Sequence, residues 1–221
     1  MEFGTQNGEE TNTRVLREQK DWSGLLMDGG FDIPNINLHR EMIFDWNIVQ
    51  LFEKYKVPLT FDLLSTDTDF KDFWISKSIF DGGYRPRVVI SEVNASFNKR
   101  LALTVPQKFP QTYFRGTYFH GATPMAMTLL YQVYGYSLVY CESRGINCFW
   151  IRNDELSQHD VLRFNKKEHI LNTIQCAQWT HTTDLSPTHW WQEIVQISKN
   201  NSIEIRHFKS SNEDLDHRRC F

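Results

Sequence analysis

The chain alternates short apolar runs with stretches of helical periodicity, and this alternation restricts the folds that it can adopt. Two of the runs, residues 61–65 and 87–92, are bounded by polar residues, which is typical of strands in a covered, parallel sheet. The segment between them places apolar side chains at helical spacing, at Phe73, Trp74, Ile79 and Phe80. Alternating strands and helices predict an α/β fold with a mostly parallel sheet.

Other periodic segments predict the remaining elements. We expect strands at residues 2–4, 23–27, 35–40, 137–141 and 147–151, and helices near residues 12–19, 45–56, 123–134, 167–178 and 187–198. The short connection between the last two strands predicts an antiparallel hairpin. The chain is therefore interpreted as an α/β domain over residues 1–154, followed by a helical extension with a charged tail over residues 155–221.

A long insert over residues 95–118 interrupts the alternation. Aromatic side chains are concentrated at its end, at Phe109, Tyr113, Phe114, Tyr118 and Phe119. They either wall a substrate or adenine pocket or form the apolar underside of a long loop.

Composition excludes some classes of function. The 221 residues carry a formal net charge of −3, which argues against a dedicated nucleic-acid-binding protein. No apolar stretch approaches the ~18–20 residues of a membrane helix and no signal peptide is visible, so a cytoplasmic location is the default expectation. The four cysteines form no C-x-x-C motif; we expect reduced, buried thiols, with a Cys141–Cys148 disulfide as the alternative.

Acidic residues follow the two clearest strands. Asp67, Asp69 and Asp72 come after the first, and Glu92 ends the second. Because ligands bind outside the carboxyl ends of parallel strands, we expect Asp67 and Glu92 to meet there. Asp67, Asp69 and Glu92 are candidate ligands of a divalent cation, and Asp67 and Glu92, with His120, are candidate catalytic bases. Alternatively, Asp69 or Asp72 caps the following helix.

A glycine-containing turn follows the first predicted strand. It spans residues 4–8, and Asp28 ends the next strand about twenty residues later. Such a turn lets backbone amides approach a ligand closely, and an acidic residue at this spacing commonly accepts hydrogen bonds from ribose hydroxyls. The pair indicates a nucleoside pocket, although an ordinary strand-to-helix turn has the same residues.

Several segments, taken in order, resemble a known family. They are Glu2-Phe3-Gly4-x-x-Asn7-Gly8-x-x-x-Asn12-Thr13, Trp22-Ser23-Gly24-Leu25-Leu26-Met27-Asp28-Gly29, Phe61-Asp62-Leu63-Leu64-Ser65-x-Asp67-x-Asp69-x-x-Asp72-Phe73-Trp74, Arg85-Pro86-Arg87-Val88-Val89-Ile90-x-Glu92-x-Asn94-x-Ser96-Phe97, Gly116-Thr117-Tyr118-Phe119-x-Gly121-Ala122 and Gly135-Tyr136-Ser137-Leu138-Val139-Tyr140. Their order and spacing are similar to those of the FkbM-type S-adenosylmethionine-dependent methyltransferases. The resemblance covers roughly residues 1–154.

The resemblance implies a Rossmann-like, seven-stranded class I methyltransferase sheet whose last strand is antiparallel. It also implies S-adenosyl-L-methionine as cofactor and O-methylation of a hydroxyl on a small molecule or glycan. The implied cofactor-binding residues are Glu2, Gly4, Asn7, Gly8, Asp28 and Asp67. In this scheme the turn over residues 4–8 cradles the methionine part, Asp28 binds the ribose, and Asp67 lies beside the sulfonium or substrate.

The chain departs from the family at three positions. Phe70 and His120 stand where relatives often carry glycine, and Met1 falls inside the first strand, which leaves fewer than the ~5 residues of an ordinary strand. These departures favour a fragment, a truncated gene model or a non-catalytic interaction module that retains the fold. A second enzymatic alternative is a glycosyltransferase that uses Asp67-Thr68-Asp69 to bind Mn²⁺ on a nucleotide sugar. The sequence specifies neither the methyl acceptor nor the oligomeric state.

Overall fold

The protein is described by a computed structural model that covers residues 1–108, 119–164, 168–171, 190–197 and 203–209. The strands are β1 (Glu2–Phe3), β2 (Leu26–Asp28), β3 (Leu38–Arg40), β4 (Leu63–Thr66), β5 (Val88–Glu92), β6 (Leu103–Thr104), β7 (Tyr136–Cys141), β8 (Asn147–Arg152), β9 (Trp190–Ile197) and β10 (Ile203–Lys209). The α-helices are α1 (Arg14–Gln19), α2 (Ile48–Lys54), α3 (Asp72–Asp81), α4 (Pro124–Val133), α5 (Gln158–Phe164) and α6 (Glu168–Leu171).

Seven strands form a mixed, mostly parallel sheet in the order β3-β2-β1-β4-β5-β8-β7. Strands β3, β2, β1, β4 and β5 run parallel, and β8 is antiparallel to both β5 and β7. The α/β class, the mostly parallel sheet and the hairpin predicted from the sequence are therefore confirmed. The chain leaves β1 toward β2 and β3 and later returns on the other side of β1 to form β4 and β5. This reversal places a topological switch point between β1 and β4.

The core forms where helices cover this sheet. Helix α3 packs between α2 and α4, and Ser76 of α3 shares a 2.9 Å hydrogen bond with the hydroxyl of Tyr131 of α4. Phe3 of β1 is fully buried, with its ring centroid 5.9 Å from that of Phe52 in α2. Burial of Phe3 explains how a strand of only two residues is retained at the centre of the sheet: its side chain contributes apolar contacts that the backbone ladder alone cannot.

The C-terminal segments form β-structure where the sequence predicts a helix. Residues 190–197 are strand β9, which pairs antiparallel with β10 and β6 in a separate three-stranded sheet. Of the helix predicted over residues 187–198, the part over residues 190–197 is wrong, and so is the description of the extension as helical there; residues 187–189 and 198 lie outside the described residues. Apolar residues at 190, 191, 194 and 195 fit helical spacing, yet the β-branched residues favour a strand, and pairing with β10 decides between the two. Of the helix predicted over residues 167–178, residues 168–171 are helical and the remainder lies outside the described residues.

Cys141 and Cys148 form a disulfide. The expectation of reduced thiols is wrong for this pair because β7 and β8 place the two residues directly opposite each other, with their Cα atoms 4.0 Å apart. Cys176 and Cys220 lie outside the described residues. Among the described helices, none combines the length and the hydropathy needed to cross a membrane.

Thr123 connects helix α4 to the insert. Its hydroxyl accepts hydrogen bonds from the backbone N–H groups of Ala126 (3.3 Å) and Leu103 (3.0 Å), and it donates to the carbonyl of Leu101 (2.6 Å). Thr123 is fully buried, so water does not replace these partners when the hydroxyl is removed. The helix predicted from about residue 123 thus begins at a threonine that also orders β6.

We expect Thr123→Ala to lower the free energy of unfolding by about 2–4 kcal/mol, since it removes a helix cap and leaves a buried strand N–H unsatisfied. Thr123→Ser retains the hydroxyl and serves as the matched control, with a loss of about 1 kcal/mol or less. Urea denaturation followed by circular dichroism measures both values. Equal losses for the two variants would show that the methyl group, not the hydroxyl, is responsible.

Candidate functional site

The turn after β1 lies against the segment that follows β4. Gly4 adopts φ +67°, and a Cβ atom added there would lie 1.6 Å from the carbonyl oxygen of Asp67. Only glycine permits both this backbone conformation and this approach. Gly8 closes the same turn with φ +84°, and its N–H donates to the carbonyl of Thr5 at 2.8 Å. The two predicted glycines therefore bring the β1 turn and Asp67 into direct contact.

Glu2 is buried and binds the loop that precedes α1. Its carboxylate accepts hydrogen bonds from the backbone N–H groups of Asn12 (2.7 Å) and Thr13 (3.2 Å), from the Thr13 hydroxyl, and from the Ser65 hydroxyl (3.3 Å). These contacts order the polypeptide around the turn. Glu2 also lines a cavity of about 340 Å³ together with Gly4 and Asp67. Its observed contacts are structural, so a direct role in cofactor binding stays a prediction.

Asp28 lies at the carboxyl end of β2 and contacts the β1 turn. One carboxylate oxygen accepts from the Gln6 backbone N–H at 2.8 Å, and the other accepts from the Gly30 N–H at 2.7 Å. A carboxylate has about four acceptor positions, so two remain for a ligand. The side chain of Asn7 is exposed and accepts from the Glu9 N–H at 3.2 Å. The structure thus joins Asp28 to the turn over residues 4–8, as a nucleoside pocket requires.

Three carboxylates meet at the adjacent ends of β4 and β5. Thr66 of β4 pairs with Ser91 of β5, which places Asp67 next to Glu92. One carboxylate oxygen from each of Asp67, Asp69 and Glu92 lies within 4.8 Å of the others. Asp69 reaches this position from a left-handed backbone conformation with φ +62°. The structure therefore brings together the three residues predicted as metal ligands.

Burial and mutual repulsion raise the pKa values of these acids. Burial, followed by the charges of Asp72 and Asp69, raises the pKa of Asp67 to about 7. Burial and the charge of Asp67 raise the pKa of Glu92 well above its ordinary value. Partial loss of hydration and the charge of Asp28 raise the pKa of Asp69, which stays exposed. At neutral pH this cluster accepts protons more readily than ordinary carboxylates do.

Asp72 is the fourth acid of this region. It is buried at the start of α3, where one oxygen accepts from the Thr68 backbone N–H at 2.9 Å and the other has no hydrogen-bond partner of good geometry. Burial raises its pKa to about 6, and Thr68 opposes the shift. Asp72 therefore does not cap the helix; it accepts a hydrogen bond that orders the turn after β4. Asp69 belongs to the carboxylate cluster.

His120 lies at the end of the insert and is buried. Its backbone carbonyl accepts from the side-chain amide of Asn94 at 2.9 Å. It does not belong to the group of three acids described above, and its catalytic role stays a prediction. Phe119 packs edge-on against Phe70, with ring centroids 5.9 Å apart, in a small separate core that explains the bulky residue at position 70. The other aromatic residues named for the insert (Phe109, Tyr113, Phe114 and Tyr118) lie outside the described residues.

Asn147 is a site residue that the sequence did not indicate. It begins β8 opposite Glu92 and lines the same cavity as Asp67. Its side-chain oxygen is buried without a hydrogen-bond partner. Nothing in the local sequence identifies it, because its proximity to the acids depends on β8 pairing with β5.

Another cavity, of about 290 Å³, lies at the opposite ends of the strands, near the starts of β1, β2 and β4. It is lined by Met1, Leu25 and Leu63 among others and contains none of the predicted site residues. Because the acidic residues converge at the carboxyl ends of the parallel strands, that region and not this cavity is the candidate site.

Comparisons with known proteins neither support nor contradict this candidate site, so the site is assigned from its geometry alone. A scan against protein-family models found no match, and a search of curated proteins found no similar sequence. The class that the described residues define is an α/β protein with an acidic site at the switch point of its main sheet. The resemblance to FkbM-type methyltransferases stays a hypothesis.

We expect Gly4→Ala to lower the free energy of unfolding by about 3 kcal/mol or more, because the new Cβ overlaps a backbone carbonyl in addition to the cost of the left-handed conformation. Gly83→Ala is the matched control for the conformation alone: Gly83 has φ +86° but open space around its Cβ position. That variant should lose only about 1–2 kcal/mol. Chemical denaturation compares them, and similar losses would contradict a specific contact at Gly4.

The raised pKa values predict that the chain without bound metal is more stable in mild acid. Between about pH 4 and pH 7 the folded state holds protons on Asp67 and Asp72 that the unfolded state has released. The free energy of unfolding therefore falls as the pH rises through this window, by about 1.4 kcal/mol per pH unit for each group that is protonated only in the folded state. Denaturation in a chelating buffer at about pH 5.5 and pH 8 measures this difference.

Glu92→Gln should reduce that pH dependence, because it removes one of the mutually repelling charges. Asp32→Asn, at an exposed carboxylate, is the control and should leave the dependence unchanged. A stability that rises from pH 5.5 to pH 8 in the parent chain would contradict the raised pKa values.

Proposed function

We propose that this protein is an S-adenosylmethionine-dependent methyltransferase that transfers a methyl group to a hydroxyl oxygen of a small molecule or glycan. One observation carries the proposal: Asp28, at the end of β2, is hydrogen bonded to the turn after β1 at the switch point of the sheet. A glycine-containing turn and an acidic residue at that position are the two elements of a nucleoside pocket. The sheet order, with one antiparallel strand next to its edge, is in agreement with a class I methyltransferase.

Partly exposed apolar side chains beside Asp28 offer contacts for the adenine ring of the donor. Met42 is half-exposed, and its sulfur would lie 2.6 Å from a Cβ atom added to Gly29. Phe31, three residues after Asp28, is also partly exposed. Adenine binds between such apolar and polarisable side chains, while Asp28 has two acceptor positions left for ribose hydroxyls.

The acidic cluster suits a positively charged donor. When bound, the cofactor supplies an electrophilic methyl group on a sulfonium centre. Asp67 and Glu92 lie at the ends of neighbouring strands, and Asp67 in its deprotonated form would attract this cation in a partly buried environment.

The same acids can activate the acceptor. Methyl transfer is an in-line displacement, so the protein mainly aligns the reacting atoms and removes the hydroxyl proton. Asp67, with its pKa near 7, is suited to accept this proton at neutral pH. With the donor bound, Asp67, beside Glu92, would take up the hydroxyl proton as the acceptor oxygen forms its bond to the methyl carbon and the bond from that carbon to sulfur breaks.

A second candidate is a metal-dependent glycosyltransferase. The observation that favours it is the convergence of Asp67 and Asp69 with Glu92, since a D-x-D pair can bind Mn²⁺ on a nucleotide diphosphate. The contact between Asp28 and the β1 turn does not separate the two candidates, because both donors carry a ribose. The order of the main sheet, with β8 antiparallel next to its edge, favours the methyltransferase.

Isothermal titration calorimetry with S-adenosylhomocysteine tests the proposal. We expect saturable binding to the parent chain and about 10- to 100-fold weaker binding to Asp28→Ala, since hydrogen bonds to a charged group contribute about 1.5–3 kcal/mol each. Asp32→Ala removes an exposed carboxylate four residues away and should bind as the parent chain does.

Titrations with nucleotide sugars and Mn²⁺ separate the two enzymatic candidates. Binding of a nucleotide sugar without binding of S-adenosylhomocysteine would replace the methyltransferase with the glycosyltransferase. Absence of binding in both titrations would contradict both and favour a non-catalytic interaction module.

A further inference from the structure

We propose that Asp67, Asp69 and Glu92 form a binding site for one divalent cation that prefers oxygen ligands, such as Mg²⁺ or Mn²⁺, at the carboxyl ends of β4 and β5. The proposal does not depend on the identity of the donor. It concerns the metal alone and is tested without any nucleoside.

The spacing of the three carboxylates fits a single ion. Their closest oxygens all lie within 4.8 Å of one another. Ligands on opposite sides of Mg²⁺ are about 4.0–4.2 Å apart, and those around Ca²⁺ are about 4.6–5.2 Å apart, as twice the usual metal–oxygen distance. The three oxygens can therefore share one ion once side-chain rotations bring them to these distances.

Unsatisfied oxygens beside the cluster give independent support. Asp72 is 1 % exposed, and one of its carboxylate oxygens has no hydrogen-bond partner of good geometry. Its charge acts on both Asp67 and Glu92, so it lies close to them. Asn147 contributes a second such oxygen, at the wall of the cavity that Asp67 also lines. Buried oxygens without donors are costly in a folded protein unless a cation or water satisfies them.

The chemistry of the ligands selects the type of metal. All three are carboxylates, and the neighbouring Asn147 offers an amide oxygen. Hard oxygen ligands suit Mg²⁺, Mn²⁺ or Ca²⁺, whereas Zn²⁺ sites usually include cysteine or histidine. Three carboxylates leave positions on a six-coordinate ion for water or for an oxygen of a substrate.

Asp69→Asn is the sharpest variant for testing the site. Asp69 is exposed and adopts φ +62°, a conformation that asparagine tolerates, so the substitution removes the charge with little strain. We expect the metal-free parent chain to bind Mn²⁺ at one saturable site by calorimetry, and Asp69→Asn to bind at least about 10-fold more weakly. Asp32→Asn, the control for lost surface charge, should retain the affinity of the parent chain.

Thermal unfolding with and without Mn²⁺ provides a second measurement. The parent chain and Asp32→Asn should gain thermal stability as Mn²⁺ is added, and Asp69→Asn should gain much less. Glu92→Gln, a neutral substitution of similar size, replaces Asp69→Asn if the latter fails to fold. Absence of saturable binding, or equal affinity in the parent chain and the variant, would overturn the proposal. Because the S-adenosylhomocysteine titration is a separate measurement that needs no added metal, failure of the metal site and failure of the methyltransferase assignment are distinguishable.

Discussion

The close approach of Gly4 to the carbonyl of Asp67 determines the geometry of the whole candidate site. It holds the turn after β1 against the segment after β4, on either side of the point where the order of the sheet reverses. Asp28 then binds that turn from β2, and Glu92 meets Asp67 from β5. Four strand ends are thus arranged around a single backbone contact that a larger side chain would prevent.

The candidate site brings several partly or fully buried acidic side chains together. Asp67, Asp72 and Glu92 all have raised pKa values, chiefly because burial removes their hydration, and their mutual repulsion adds to the effect. A fold that had only to be stable would replace such groups with neutral ones. Retaining them is the usual condition of a site that binds a cation or transfers a proton. This physical cost favours the carboxyl ends of the strands, instead of the cavity at their opposite ends, as the candidate functional site.

Local patterns predicted the main sheet well and the C-terminal part poorly. Residues 61–65 and 87–92 are apolar runs with polar ends, and both contain strands, although these begin one or two residues later than predicted. Residues 190–197 satisfy helical spacing equally well and become a strand only through pairing with β10 and β6. The disulfide between Cys141 and Cys148 also depends on pairing, because the register of β7 and β8 places the two cysteines opposite each other. Long-range pairing is the information that a local pattern lacks.

The sequence by itself determined the α/β class of the fold and identified most of the acidic residues of the candidate site. Buried strands that end in carboxylates, with a glycine turn and Asp28 at ribose-binding spacing, are local features and can be recognised along the chain. Only the tertiary structure decided which of these groups meet. It joined Asp69 to Asp67 and Glu92, directed Glu2 toward the backbone before α1, and placed Asn147 at the same cavity. The physical reason is that the convergence of side chains depends on strand order and register, which are properties of the assembled sheet.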